Sequence, residues 1–173
     1  MNRLCLLALL CAAVICGCER EAVPAVAQFP AVDPGEPTQA QPQLQTMKVY
    51  IGSQEMLAEL ALTPQQQRTG MMFRTNMAEN AGMLFPLPYT QQASFWMKNC
   101  PYALSAAYID EEGIIQEIHD LHPFDTNSVT AARSNIRFVL ETPPGWFERH
   151  QIKTNVAVST ERGPLMQTFF GKR

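Results

Sequence analysis

The chain has 173 residues, of which 13 are basic and 16 are acidic, so its formal net charge is −3 at pH 7. It contains no basic run or arginine cluster, so nucleic acid is not expected as a partner. Four of its five cysteines lie within the first 18 residues, which leaves Cys100 alone and excludes a disulfide framework in the rest of the chain.

The first residues resemble a bacterial lipoprotein signal. Arg3 precedes an apolar run over 4–15, which has the length of a signal-peptide core and is short for a membrane span. The run leads into "ICGC", which is similar to a lipobox, although its second residue is more usually alanine or serine. Residues 1–18 are therefore predicted to be a signal with lipidation at Cys18. An ordinary cleaved signal and an uncleaved anchor are the alternatives.

An acylated Cys18 would anchor the mature protein to a membrane without crossing it. This predicts a bacterial cell-envelope protein that faces the periplasm, and the outer membrane is favoured over the inner one. Residues 19–46 are rich in alanine, proline and glutamine and have few large apolar side chains, which is typical of a disordered tether. Residues 47–173 are expected to form one domain.

The domain reads as a series of short strands. In chain order, the expected strands are Met47–Gly52, Glu55–Leu62, Gly82–Leu87, Ala93–Lys98, Tyr102–Asp110, Ile114–His122, Arg137–Thr142, Val156–Thr160 and Leu165–Phe170. A two-turn helix is expected after Thr63, with Gln66 completing a capping box and Gly70 ending the helix. A second short helix or turn is expected at Trp146–Ile152. This pattern predicts a mainly β fold, a compact antiparallel β-barrel or sandwich with one or two short helices.

Five motifs occur in an order that resembles the DUF192 family, whose members are small prokaryotic domains, often secreted or lipid-anchored. They are "TPQQQRTGMMFR", "GMLFPL", "SFWMKN", "YIDEEGIIQEI" and "RFVLETPPGWFERHQI". The resemblance spans nearly all of 47–170 and implies a barrel or jelly-roll-like sandwich. It implies no established molecular function.

Two positions depart from the family pattern. Cys100 stands where the family usually has threonine, and Ser105 stands where it usually has aspartate. If that aspartate contributes to a site in relatives, the site is altered or lost in this chain.

The candidate ligand pocket is centred on Trp96 and Lys98, two residues apart and therefore on one strand face. An indole beside an ammonium group suits a sugar or a small anionic molecule. Asn99 precedes Cys100-Pro101 and favours a turn. Arg74 and Glu141 complete the candidate pocket if strand register brings them near. Two other interpretations remain: a structural polar network, in which Glu141 pairs with Lys98, and catalysis.

Other residues carry weaker signals. Cys100 could be a nucleophile, but no histidine is placed by spacing to activate it, so no catalytic residue is assigned. His119 and His122 would point to opposite faces of a strand, so a metal site is not expected. The sequence has no P-loop or G-x-G-x-x-G motif, and no cofactor is expected. Five methionines between 71 and 97 could bind copper(I), but the phenylalanines and leucine among them favour a core.

Three functional hypotheses follow. The first is a lipid-anchored, non-enzymatic binding or interaction module for a small polar ligand or an envelope protein. The alternative is an envelope enzyme that acts on a carbohydrate or acyl substrate with Glu141 and Lys98 in its site. The third is a purely structural protein with a stable protein partner.

Overall fold

The computed structural model describes residues 35–171. The predicted signal, the lipidation at Cys18 and the first part of the predicted tether lie outside the described residues, so the domain boundaries stay predictions. From 35 to 45 the chain has no regular secondary structure. Part of this stretch is nevertheless bonded to the domain, because Gln41 Nε2 donates to Gln66 O at 3.1 Å and to Gly70 O at 2.9 Å.

Ten strands and three short helices are found among residues 35–171. The strands are β1 (Thr46–Ile51), β2 (Gln54–Leu60), β3 (Ala81–Gln91), β4 (Ser94–Phe95), β5 (Leu104–Ile109), β6 (Ile115–Leu121), β7 (Val129–Thr130), β8 (Ile136–Thr142), β9 (Val158–Thr160) and β10 (Gly163–Pro164). The helices are α1 (Pro64–Thr69), α2 (Trp146–Arg149) and α3 (Leu165–Phe170). No helix within 35–171 is long and apolar enough to cross a membrane.

Eight of the strands form one curled sheet in the order β10-β9-β1-β2-β3-β8-β5-β6, and β4 pairs with β7 in a separate two-stranded sheet. All neighbouring pairs are antiparallel except β2 and β3. These two run parallel because α1 and the residues after it return the chain to the end of the sheet at which β2 begins. The predicted mainly β fold is therefore confirmed.

The sheet separates two apolar cores, and β8 shows how the sequence builds both. Phe138 and Leu140 pack on one face, and Val139 packs on the other, as the predicted alternation requires. The first core contains Trp146 of α2 and Phe169 of α3. The second core is covered by the connections before and after β3, and it holds the methionines that the sequence placed in a core.

The first helix forms as predicted. Thr63 Oγ1 accepts a hydrogen bond from Gln66 N at 3.2 Å, and Gln66 Oε1 accepts one from Thr63 N at 3.0 Å, which completes the capping box. Gly70 ends the helix with φ +46°, a conformation that disfavours other residues. The helix thereby holds Arg68 at the edge of the second core.

Two predicted strands are wrong in whole or in part. Leu165–Phe170 is the helix α3, because Leu165 and Phe169, spaced four residues apart, both turn into the first core. The predicted strand Ala93–Lys98 is reduced to the two residues of β4, and the chain turns directly afterwards. Three short helices are present among the described residues instead of the expected one or two.

Candidate functional site

A tight turn after β4 positions the candidate site. Asn99 has φ +57°, in the left-handed region that asparagine tolerates, and Cys100 N donates to Met97 O at 3.0 Å. Phe73 N donates to Asn99 O at 2.7 Å, which ties the turn to the segment after α1. The observed turn agrees with the turn that the sequence predicted. It positions the side chains of Trp96 and Lys98.

Trp96 and Lys98 lie side by side at the surface. Lys98 Nζ is 5.4 Å from the centroid of the Trp96 ring, within the range of a cation–π contact. Trp96 is 44% exposed, and the lysine side chain is 33% exposed. Lys98 Nζ also forms an ion pair with the Glu36 carboxylate, which belongs to the stretch before the domain.

These residues line a depression of about 240 Å³, here called the outer groove. Its walls are Glu36, Pro37, Arg68, Met72, Trp96 and Lys98. The groove therefore has an apolar floor and two cationic side chains, Arg68 and Lys98. Lys98 is paired with the Glu36 carboxylate of the same chain.

A smaller cavity of about 40 Å³, here called the inner chamber, adjoins the outer groove. The two share Arg68, Met72 and Trp96 as wall residues. The chamber is otherwise lined in part by the rings of Phe85 and Phe95, and by two groups with exchangeable protons, Cys100 and Glu141.

Glu141 is a buried acid at the edge of the inner chamber. It is 4% exposed, and its Oε2 has no hydrogen bond to any residue between 35 and 171. The reason is local, since β8 lies inside the sheet and the cross-strand neighbours of Glu141 are Met83 and Ala106, which offer no donor. Burial raises the pKa of Glu141 to about 8, so the carboxyl group is largely protonated at pH 7.

Two further ionisable groups lie near Glu141. Burial, followed by the charge of Glu141, raises the pKa of the Cys100 thiol to about 12. The same two causes, with a contribution from Cys100, raise the pKa of Tyr102 to about 12. The thiol is consequently uncharged at pH 7, whereas nucleophilic cysteines are thiolates.

The residues that the sequence grouped into one pocket are only partly together. Trp96 and Lys98 share the outer groove, and Glu141 lies at the adjoining chamber. Asn99 stands beside them, with its Nδ2 4.0 Å from the sulfur of Met72. The alternative pairing of Lys98 with Glu141 does not occur, because Lys98 pairs with Glu36 instead.

Arg74 lies elsewhere. Its Nη1 and Nη2 donate to the two carboxylate oxygens of Glu59 at 2.5 and 2.9 Å, a bidentate pair with both side chains less than a fifth exposed. Burial raises the pKa of Glu59, but hydrogen bonds from Arg74 and Leu44 N outweigh it and leave the pKa below its usual value. Arg74 lines a separate cavity of about 190 Å³ with Glu59.

The sequence missed Glu36, Arg68 and Met72 as parts of the site. The sequence analysis places Glu36 in the tether and Met72 in a core, and it gives Arg68 no role in the site. The sequence does contain information about Arg68. The capping box fixes where α1 begins, and the start of a helix determines which of its residues share a face. No periodicity in the sequence connects Glu36 to Lys98.

Ser105, at the position of the family aspartate, lies on the other side of the sheet from Glu141. Its Cα pairs with that of Thr142, while Glu141 pairs with Ala106, so the two side chains point to opposite faces. Ser105 Oγ donates to Asp120 Oδ1 at 2.7 Å and accepts from Gly145 N at 2.8 Å. A carboxylate at this position would therefore not share a cavity with Glu141.

The histidines of β6 and its end do not form a metal site with their neighbours. His119 Nε2 lies 2.9 Å from Glu117 Oε2, and its ring packs 5.0 Å from that of Tyr108. In the part of the chain that the structure describes, no three His, Cys, Asp or Glu side chains are grouped to hold a metal ion.

Comparison with known proteins places this domain among uncharacterised relatives. The model of the DUF192 family, described as "Uncharacterized ACR", matches residues 47–160. No curated protein matches the sequence. A crystal structure of a Sinorhizobium meliloti 1021 protein, described as a "putative transcription regulator", has a TM-score of 0.66 and 26% identity, covering 70% of this chain and 98% of that one. A protein of unknown function from Novosphingobium aromaticivorans DSM 12444 has a TM-score of 0.63 and 29% identity, covering 78% and 94%.

Proposed function

The chain belongs to the DUF192 family, and we propose that it is a binding protein that takes a small anionic ligand in the outer groove, at Lys98 and Trp96. The observation that carries the proposal is the Glu36 carboxylate on Lys98 Nζ, inside a groove of about 240 Å³. A carboxylate of the chain itself marks the position where the acidic group of a ligand would bind.

The chemistry of the groove suits such a ligand. A charge-assisted hydrogen bond from a half-buried ammonium group is stronger than one between neutral groups. The Trp96 ring contacts the ammonium group from one side, and Trp96 remains 44% exposed, which leaves surface for the apolar part of the ligand. Met72 and Pro37 extend that apolar surface.

The surroundings of Cys100 and Glu141 favour a binding function over catalysis. The Cys100 thiol, with its pKa near 12, is not an activated nucleophile. Glu141 and the Ser105 position face opposite sides of the sheet, whereas hydrolysis of glycosides uses two carboxyl groups that flank one bond.

One observation supports the alternative function, an envelope enzyme that acts on a carbohydrate or acyl substrate. Glu141 is a buried acid that is protonated at pH 7 and adjoins a groove, which is the condition expected of a general acid. Under this alternative, Glu141→Gln abolishes turnover of an envelope glycan or ester and leaves the fold intact. Equal turnover by Glu141→Gln and by the wild type would contradict the enzyme alternative.

The proposal includes an anchor. A lipid on Cys18 would hold the protein to a bacterial envelope membrane, facing the periplasm, with the outer membrane favoured. Full extension of the chain from Cys18 to Glu36 would let the groove stand at most roughly 60 Å from the lipid. Mass spectrometry of the protein purified from its membrane fraction tests this, since Cys18→Ala should lose both the acyl mass and the membrane association.

The binding proposal is tested by a thermal-shift screen of the full-length chain against carboxylates, sugars, nucleotides, amino acids and metal ions. A ligand of the native state raises the melting temperature by mass action. The matched variants are Lys98→Met and Lys48→Met, because Lys48 also pairs with a glutamate, Glu55 at 3.5 Å, but lies outside the groove. We expect an anionic ligand whose shift survives in Lys48→Met and is lost in Lys98→Met. An equal shift in both variants would contradict the proposal.

A further inference from the structure

The inner chamber adds a second requirement to the ligand. We propose that it accepts a hydroxyl group, hydrogen-bonded to Glu141, so that the ligand is a hydroxylated carboxylic acid such as a hydroxy acid or an acidic sugar. The inference rests on the proposed function, because the same molecule would place its carboxylate on Lys98 and its hydroxyl group in the chamber.

The size of the chamber limits what can enter. Its volume is about 40 Å³, against about 240 Å³ for the outer groove. A hydroxyl group fits this space, and the bulk of the ligand stays in the groove.

One carboxyl oxygen of a chamber residue has no hydrogen bond within residues 35–171. Glu141 Oε2 lacks a partner among the described residues, although buried polar atoms are almost always hydrogen-bonded. A protonated carboxyl group has one O–H donor and acceptor capacity on its oxygens, and a hydroxyl group has the same two functions. The two groups can therefore satisfy each other without either carrying a charge.

The walls disfavour charged substituents. Phe85, Phe95 and Met71 line the chamber beside Glu141, so an ion would lose more hydration on entry than a neutral hydroxyl group does. A hydroxyl group also gives the protonated carboxyl group a neutral partner.

The position of the chamber links it to the groove. Trp96, Met72 and Arg68 belong to both walls, so a ligand lying on the indole has the chamber beside it. The carboxylate subsite at Lys98 fixes one end of the ligand. The apolar face of a carbon chain or a sugar ring rests on Trp96, and a hydroxyl substituent then reaches Glu141.

The test is a calorimetric titration of the full-length chain with matched pairs of acids. Each hydroxy acid, from lactate and 3-hydroxybutyrate to glucuronate, is compared with the same acid lacking the hydroxyl groups. We expect at least one hydroxy acid to bind about ten-fold more tightly than its partner, which corresponds to about 1.4 kcal/mol. Glu141→Leu should reduce this ratio to about two-fold or less without weakening the deoxy acid, and Glu141→Gln, which keeps a donor and an acceptor, should retain most of it.

The outcomes separate the two proposals. If acids bind through Lys98 but no hydroxy acid is preferred, or if Glu141→Leu leaves the preference unchanged, the chamber is not a hydroxyl subsite and the groove proposal stands. If no acid binds and Lys98→Met changes nothing, both fail. Thermal unfolding of Glu141→Leu in the absence of ligand confirms that a lost preference does not reflect a lost fold.

Discussion

Ser105 and Glu141 are two buried polar side chains on neighbouring strands of one sheet, and they face opposite sides of it. Ser105 is fully used, with one hydrogen bond to Asp120 and one from Gly145 N. Glu141 has an oxygen without a partner in the part of the chain that the structure describes, and it lies against a cavity. The difference marks Glu141 as a place to look for function, because an unpaired buried carboxyl oxygen beside a cavity has room for a partner from outside the chain.

The ion pairs repeat this contrast. Arg74 and Glu59 form a bidentate pair whose side chains are 17% and 16% exposed. Lys98 and Glu36 form a pair whose side chains are 33% and 62% exposed, at the edge of the outer groove. The first pair belongs to the framework, and the second can be exchanged for a ligand at little cost.

The largest expected effect comes from Glu141 itself. Its pKa of about 8 in the folded protein is above the ordinary glutamate value of 4.5. Between these two pH values the unfolded chain releases the proton and the folded protein retains it, so the free energy of unfolding falls as pH rises. We expect a loss on the order of 3 kcal/mol between pH 5 and 8, measured by urea denaturation.

Glu141→Leu is the control for this pH dependence. The variant should be more stable than the wild type at pH 8 and nearly independent of pH from 5 to 8. Glu59 and Glu117, whose pKa values are lowered, are largely ionised in both states throughout this window, so they add little slope, and of the opposite sign. A wild type whose stability is flat from pH 5 to 8 would mean that Glu141 has a partner in solution.

Breaking the framework ion pair should be the next largest effect. Arg74→Met leaves the Glu59 carboxylate largely buried without its cation, so the free energy of unfolding should fall by about 2–3 kcal/mol. Lys98→Met is the matched comparison and should cost less than about 1 kcal/mol. Equal losses for the two variants would end the distinction between framework and exchangeable pairs.

A smaller loss is expected from the satisfied side of the sheet. Ser105→Ala removes the acceptor of Gly145 N and the donor to Asp120, at a cost of about 1–2 kcal/mol in urea denaturation. Ligand binding should not change, because Ser105 faces away from the groove. Reduced affinity in a folded Ser105→Ala would show that the two faces of the sheet are coupled.

The smallest effect concerns the carboxylate that occupies the groove. Glu36→Gln removes the internal competitor of an anionic ligand, so affinity should rise about two- to five-fold, in line with an exposed ion pair worth up to about 1 kcal/mol. Glu55→Gln, which removes the partner of Lys48, is the control and should leave affinity unchanged. Unchanged or lower affinity in Glu36→Gln would mean that Glu36 does not compete with the ligand.

Local patterns in the sequence predicted most of the fold. Alternation along 137–142 assigned the two faces of β8, and the residues around Thr63 predicted the start of α1, because both depend on neighbours along the chain. The helix Leu165–Phe170 was mistaken for a strand, since a run of six residues with apolar ends fits either structure.

The candidate site was predicted in part, for a physical reason. Trp96 and Lys98 are two residues apart, so their contact follows from local geometry. The approach of Glu36 to Lys98 depends on how the stretch before β1 crosses α1, where Gln41 holds it. The isolation of Glu141 depends on which strands flank β8, and the pairing of Arg74 with Glu59 depends on the register of β2. None of these can be obtained from one segment alone.

The most direct test of the central claim uses the two tryptophans of the chain as reporters. Trp96 lies in the groove and is 44% exposed, whereas Trp146 is buried in the core on the other face of the sheet. Nitrogen-15 NMR spectra of the full-length chain would follow both indole N–H resonances during titration with the best acid from the screen. The account predicts that the Trp96 resonance shifts in a saturable manner and that the Trp146 resonance stays in place. A bound acid that leaves Trp96 unmoved would contradict it.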